Sequence, residues 1–151
     1  LERLGWCRVQ AAGAPVTTTQ NDSEQIAMQV TAAHLTADGF SVADIHTEGR
    51  GYDLHATRGP EMRMVEVKGV WNAASSDGIR LTGHEILIAS QHADDYWIYV
   101  VDRCAQGGQM FGAFDDPVRR FGGLMGEITT FKIPGSTLTS VRDSELEEAA
   151  T

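Results

Sequence analysis

Two carboxylates and one ammonium group lie at spacings that suit metal-dependent hydrolysis. Glu66 and Lys68 are two residues apart, so a β-strand would place both side chains on one face. Asp53 precedes a predicted turn and would face Glu66 from the neighbouring strand, with Cβ atoms about 5 Å apart. Like charges so placed are mutually destabilising unless a cation such as Mg²⁺ or Mn²⁺ lies between them, which also leaves positions for water and a phosphate oxygen. Lys68 would then orient or help deprotonate an attacking water.

A β-hairpin is the element that must position these three residues. Segments 52–58 and 61–68 are rich in β-compatible residues and flank Gly59-Pro60. Glycine at the first central position is what a type II′ turn requires, and proline supplies the negative φ of the second. The register that follows from this turn also places His55 opposite Met64.

The same charged residues have a plainer interpretation, which is a solvated ion cluster on an exposed sheet face. Charged alternation on strands is common, and spacing alone does not separate the two interpretations. Val65 and Val67 alternate with Glu66 and Lys68, and would anchor the other face of the strand in a core. A strand that is apolar on one face and charged on the other favours the interpretation in which the charged face borders an opening.

Helices and strands are predicted on both sides of the hairpin. Polar residues at Asn21–Ser23 are N-cap candidates for a helix over 22–38. Thr82 and Glu85 form a capping-box pattern that predicts a second helix over 83–91 and accounts for Glu85 without a further role. Strands are predicted at 40–46, 96–101, 110–114 and 126–133, the second of them buried on both faces. This alternation indicates an α/β fold.

Composition and charge exclude several classes of protein. Hydrophobic residues at 42% and charged residues at 22% are ordinary for a globular chain, which excludes wholesale disorder and a fibrous protein. No apolar run approaches the roughly 18 residues that span a bilayer, so we expect a soluble cytoplasmic protein with no membrane partner. Cys7 and Cys104 are far apart and lack a CxxC pattern, which disfavours a disulfide framework or a structural zinc site. The net charge of -9 opposes unaided binding to a phosphate backbone.

Three parts are expected along the chain: a flank or linker over 1–20, a folded domain over 21–134, and a flexible tail over 135–151. The chain starts at Leu1 without an initiator methionine, and its first residues resemble the middle of a longer polypeptide. Its native neighbours would then be further domains.

The ordered motifs resemble a known group of enzymes. GYDL at 51–54 followed by VEVKG at 65–69 resembles the D…ExK signature of the PD-(D/E)XK nuclease superfamily, with Tyr52 where the nominal motif has proline. One branch, the No Vein C-terminal family, is similar over a longer stretch. That domain of unknown function occurs in larger proteins, beside helicase or ATPase modules and in prokaryotic defence systems. The further motifs are Glu24 in the first helix, GFSVADI at 39–45, LTGHE at 81–85 and DYWIYVV at 95–101.

The resemblance implies a restriction-endonuclease-like fold, a mixed central β-sheet flanked by α-helices, and a Mg²⁺-dependent DNA endonuclease. In such a site Asp53, Glu66 and the carbonyl of Val67 would hold Mg²⁺ or Mn²⁺. Lys68 would position the nucleophilic water, and Glu24 would complete the site from the first helix.

Two polar residues are secondary candidates. Gln91 would contact the site or a phosphate, as polar residues of the second helix sometimes do in such nucleases, although an ordinary helix C-terminal residue is the favoured interpretation. His55 shares the predicted face of Asp53, and its alternative is a half-exposed strand histidine.

The partners implied are DNA, flanking helicase or ATPase modules of an antiphage defence system, and a second copy of the chain in a homodimer. A competing hypothesis is a catalytically inactive module that keeps the nuclease fold for nucleic-acid binding or protein assembly. A third is a structural domain whose acidic surface only tunes solubility.

Overall fold

The computed structural model describes residues 16–122 and 130–150, with side chains described over 20–122 and 132–150. Cys7, most of the predicted linker and the first part of the strand expected at 126–133 lie outside these residues. The strands are β1 (Ser41–Asp44), β2 (Leu54–Arg58), β3 (Glu61–Gly69), β4 (Ile79–Thr82), β5 (Tyr96–Asp102), β6 (Gln109–Asp115) and β7 (Thr130–Ile133). The helices are α1 (Val16–Ala37), α2 (Ala74–Asp77), α3 (Gly83–His92), α4 (Pro117–Phe121) and α5 (Gly135–Ala150).

Five strands form a mixed central sheet in the order β1-β2-β3-β5-β6. The neighbours pair antiparallel except β3 and β5, which run parallel. A parallel pair needs a long crossover, and here α2, β4 and α3 lie between the two strands in the chain. Strands β4 and β7 form a separate antiparallel sheet. The predicted α/β architecture with a mixed central sheet is confirmed.

The predicted central strand is confirmed at β5, which is buried on both faces. Tyr96, Ile98 and Val100 belong to one hydrophobic cluster, and Tyr99 and Val101 belong to another. This division follows from strand alternation, because successive side chains point to opposite faces. The sheet therefore separates two cores, and β3 beside it is held between them.

The predicted hairpin register is confirmed over β2 and β3, from Leu54 opposite Val65 to the pair at the turn, with His55 opposite Met64. Gly59 has a φ of 56°, as the predicted turn requires. The register does not extend to Asp53, however. Its backbone N–H donates to the Val65 carbonyl at 2.8 Å.

Asp53 therefore does not lie opposite Glu66 as the sequence predicts. The physical reason is local, because Asp53 Oδ2 accepts the Val67 N–H at 2.9 Å. The Asp53 carboxylate thus accepts the Val67 N–H in place of a backbone carbonyl of the partner strand. The ladder between β2 and β3 therefore ends at Leu54 and does not reach Asp53.

Two predictions about the ends of the chain differ from the structure. Helix α1 begins at Val16 instead of residue 22. Residues predicted as a flexible tail form α5, whose Leu138 is fully buried. The composition of this segment is polar, but Leu138 and Val141 pack against the core cluster that also contains Phe114. Tertiary packing thus stabilises the first half of a helix whose second half is rich in the strong helix formers Glu, Leu and Ala.

The other predicted elements agree with the structure in type, whereas α2, β4 and α4 were not predicted. Helix α3 confirms the helix predicted at 83–91, and β6 confirms the strand predicted at 110–114. Strand β1 is shorter than predicted and is followed by a 3₁₀ turn at His46–Glu48. Among the described residues, no helix is both long enough and apolar enough to cross a membrane.

Candidate active site

An open cleft of about 1130 Å³ lies at the C-terminal half of β3. Residues of α1 line one side of it, and residues of β4 and β7 line another. Its charged lining includes Glu24, Asp53, Glu66, Lys68 and Glu85. The structure therefore brings the four predicted catalytic residues into one cleft, together with a glutamate that the sequence had assigned to capping alone.

The ammonium group of Lys68 lies between two glutamates. Its Nζ is 2.7 Å from Glu66 Oε1 and 2.9 Å from Glu85 Oε2. Burial raises the pKa of Glu66 well above its ordinary value, although the charge of Lys68 acts in the opposite direction. Burial alone would lower the pKa of Lys68, but the charges of Glu66 and Glu85 outweigh it and leave that pKa raised. Lys68 is therefore a charged donor and not a proton acceptor near neutral pH.

Asp53 is held by the strand that carries the other two residues. Its Oδ2 accepts the Val67 N–H, and the part of the chain that the structure describes offers Oδ1 no hydrogen bond. Burial raises the pKa of Asp53, and the hydrogen bond from Val67 partly offsets this effect. One carboxylate oxygen thus fixes the side chain while the other is left for a ligand.

Glu85 belongs both to the capping box and to the site. The predicted capping box is confirmed: Thr82 Oγ1 accepts the Glu85 N–H at 3.2 Å, and Glu85 Oε2 accepts the Thr82 N–H at 2.8 Å. The same Oε2 accepts a hydrogen bond from Lys68 Nζ. Sequence analysis missed this second role because the cap explains the glutamate fully, and no local signal in α3 points towards Lys68.

Glu24 lies at the cleft because α1 packs tightly against β3. A Cβ atom at Gly69 would lie only 2.3 Å from the Ser23 carbonyl oxygen. The glycine therefore permits the close approach of the helix next to Lys68. Glu24 is exposed and lines the cleft from this helix.

His46 is a further residue of the cleft that sequence analysis did not single out. Its Nδ1 lies 2.5 Å from Asp44 Oδ1. This hydrogen bond raises the pKa of His46, and the charges of Asp44, Asp53 and Glu24 add to the effect. The acidic field of the cleft thus extends to the end of β1.

The two secondary candidates lie away from the cleft. Gln91 is exposed and does not line it. Helix geometry explains this, because six residues separate Gln91 from Glu85, a rise of about 9 Å along the axis. His55 does not line the cleft either, and its Nδ1 lies 3.4 Å from Tyr52 Oη. Because Asp53 leaves the ladder, strand alternation no longer places the two side chains on a common face.

The donor set around Lys68 fits a hard divalent cation. Asp53, Glu66 and Glu85 bring three formal negative charges against one ammonium group, an excess of two when all are ionised. Within residues 16–122 and 130–150, no three His, Cys, Asp or Glu side chains lie close enough to hold a metal ion by themselves. Mg²⁺ is commonly bound through one or two carboxylates with water completing its shell, so it does not need such a cluster.

Comparison with known proteins identifies a family. The family model described as Protein NO VEIN, C-terminal matches residues 23–111, which is more than half of the chain. The matched stretch contains Glu24, Asp53, Glu66, Lys68 and Glu85. No curated protein and no solved structure matches the chain. The chain therefore belongs to the Protein NO VEIN, C-terminal family.

Proposed function

We propose that this chain is a Mg²⁺-dependent DNA endonuclease module of the PD-(D/E)XK superfamily that hydrolyses phosphodiester bonds. The observation that carries the proposal is the meeting of Asp53, Glu66 and Lys68 in one cleft, with Lys68 hydrogen-bonded to Glu85. A buried and a half-buried carboxylate, both of raised pKa and beside a lysine in a cleft, are a physical mark of a functional site.

The residues that would hold Mg²⁺, or Mn²⁺, are Asp53, Glu66 and the carbonyl of Val67. Glu24 would contribute from α1 as an outer or second-metal ligand. When bound, the cation would polarise the phosphodiester and offset the negative charge that develops on its oxygens. Two observations support this assignment: Asp53 Oδ1 accepts no hydrogen bond from the described residues, and negative charge is in excess around Lys68.

Lys68 would orient the attacking water and stabilise charge on the phosphate. Its raised pKa keeps the ammonium protonated, so it donates hydrogen bonds and does not remove the proton from water. Glu66 and Glu85 hold Nζ from two directions and limit its movement. Preorganised positive charge at the place where negative charge develops is a large contribution to catalysis.

The wider setting is also part of the proposal. With a net charge of -9, the chain would receive DNA from flanking helicase or ATPase modules, or from a homodimeric partner, in a cytoplasmic antiphage defence protein. The second candidate function is a non-cleaving nucleic-acid-binding or assembly module. The ion pairs that Lys68 forms with both Glu66 and Glu85 favour it, because they already compensate part of the buried charge.

Titration of Mg²⁺ and Mn²⁺ into wild type and Glu66→Gln tests these alternatives. Bound metal is measured by calorimetry and nicking of supercoiled plasmid in the same samples. Asp94→Asn is the matched control, because it removes the same charge from an exposed residue outside the cleft. The endonuclease predicts nicking that wild type and Asp94→Asn share and Glu66→Gln loses. Nicking that survives in Glu66→Gln contradicts the assignment, and metal binding without nicking favours the non-cleaving module.

A further inference from the structure

Two basic side chains lie side by side at the edge of the cleft. Arg80 of β4 and Lys132 of β7 are register partners in the two-stranded sheet. Both are exposed and both line the cleft. Directly opposed residues in an antiparallel pair have Cβ atoms about 4.5–5.5 Å apart, and like charges so placed destabilise the pair. An anionic ligand bound between the two side chains would relieve this repulsion.

This basic rim, defined as Arg80 and Lys132, differs from the other cations of the described chain. Seven basic side chains are ion-paired with carboxylates, namely Arg50, Arg58, Arg63, Lys68, Arg119, Arg120 and Arg142. In the described ranges, Arg80, Lys132 and Arg103 have no such partner, and Arg103 does not line the cleft. Asp77 also lines the cleft, but within the described residues it forms no ion pair with Arg80 or Lys132. The basic rim is therefore available to an external anion.

The α1 side of the cleft has a different chemistry. Its exposed polar lining is one carboxylate and four carboxamides, and among the described residues it contains no cation. The carboxamides are Gln20, Asn21, Gln25 and Gln29. A phosphate is repelled by Glu24 on that side and attracted to the basic rim. Asparagine and glutamine side chains instead offer both a donor and an acceptor, which suits base edges.

We propose that Arg80 and Lys132 bind the phosphodiester backbone of DNA, with the bases towards the carboxamides of α1. This positioning role rests on the proposed function for its choice of DNA. It explains how a chain of net charge -9 holds a polyanion next to Glu66, because the favourable contacts are local.

Binding of a fluorescent oligodeoxynucleotide in EDTA tests the rim without any hydrolysis. Anisotropy is followed over a series of salt concentrations for wild type, Arg80→Gln/Lys132→Gln and a control, Arg103→Gln/Arg119→Gln. The control removes the same charge from exposed residues outside the cleft. For two phosphate contacts, the magnitude of the slope of log K against log salt falls by about 1.4–1.8 in the rim variant. It stays at the wild-type value in the control.

Three outcomes would overturn the proposal that the rim binds the phosphates of DNA with the bases towards α1. One is an equal slope in the rim variant and the control, and another is equal affinity for inorganic polyphosphate of matched charge. The third is an absence of chemical-shift changes at the Arg80 and Lys132 side chains of wild type at millimolar oligonucleotide. Thermal melts accompany each variant, and the rim variant should melt no lower than wild type because a like-charge pair is relieved. A rim-dependent slope in a protein that does not nick plasmid contradicts the endonuclease alone.

Discussion

At the residue scale, two carboxylates hold the ammonium group of Lys68 in place. Glu66 is almost completely buried on β3, whereas Glu85 reaches the same ammonium from the first turn of α3. Glu85 Oε2 also accepts the Thr82 N–H. One carboxylate oxygen therefore links the start of a helix to the proposed water-positioning group, and the two roles can be separated by substitution.

Glu85→Gln and Glu85→Ala separate them. Glutamine also serves in a capping box, so Glu85→Gln should leave the free energy of unfolding within about 0.5 kcal/mol of wild type. Its nicking rate at saturating Mg²⁺ should still fall roughly 10- to 100-fold, because the charge that positions Lys68 is lost. Glu85→Ala should also lose the hydrogen bond from the Thr82 N–H, at a cost of about 0.5–1.5 kcal/mol. Unchanged nicking in Glu85→Gln would restrict Glu85 to its structural role.

Because Glu66 is buried, the chain should lose stability as the pH rises above the ordinary pKa of a glutamate. The pKa of Glu66 is raised in the folded chain, so the unfolded chain ionises first as the pH rises above the ordinary value of 4.5. Stability is therefore lost between that value and the folded pKa, at about 1.4 kcal/mol per pKa unit. In EDTA at pH 7.5, Glu66→Gln should melt above wild type, by roughly 2–4 °C per kcal/mol. The difference should shrink as the pH is lowered to 5.

Glu61→Gln is the control of opposite sign for this melting series. Hydrogen bonds from Arg58 and Arg63 lower the pKa of Glu61. Its contribution to stability is therefore present above the unfolded pKa and is lost as the pH falls through the folded pKa. Glu61→Gln should melt no higher than wild type at pH 7.5. A Glu66→Gln variant that melts below wild type at that pH would contradict the buried-charge argument.

At the element scale, the cleft depends on the contact between α1 and β3. Gly69 is the position of closest approach, since its missing Cβ would meet both the Ser23 carbonyl and the Ala27 side chain. The absence of a side chain at Gly69 therefore determines how closely the helix that carries Glu24 packs against β3.

Gly69→Ala should destabilise the chain by about 1–3 kcal/mol, the usual cost of overpacking. It should also weaken nicking, because α1 and Glu24 must move away from Lys68. Gly122→Ala is the control, since a Cβ atom there meets nothing within 4 Å and its φ of -62° suits alanine. Urea unfolding measures both variants, and an equal midpoint for the two would contradict the close contact.

The elements also show how far the sequence alone predicts this molecule. The turn at Gly59 determines the register of β2 and β3, and the pattern at Thr82 determines the start of α3, because each is a local rule of backbone chemistry. The first half of helix α5 follows no such local rule, since it is held by the packing of buried Leu138. The predicted site residues Asp53, Glu66, Lys68 and Glu24 do meet in the cleft.

Long-range contacts explain what the sequence did not predict in the site. The ion pair between Lys68 and Glu85 joins residues that are 17 positions apart on different elements. Asp53 leaves the ladder because its side chain takes the Val67 N–H, a choice that spacing does not reveal. His46 enters the cleft from a turn that had been predicted as strand.

At the scale of the whole molecule, cation binding and folding are linked. A ligand that binds only the folded state raises its stability by about 2.7 kcal/mol at a concentration of 100 Kd. Mg²⁺ should therefore raise the melting temperature of wild type by roughly 5–10 °C, relative to NaCl of equal ionic strength. That reference is needed because a chain of net charge -9 gains stability from any added cation through screening. Asp53→Asn should lose the specific increment, since it removes a proposed ligand, while exposed Asp94→Asn should retain it. Equal increases in melting temperature in the two variants would show that Mg²⁺ acts through the overall charge of the molecule and not by binding in the cleft.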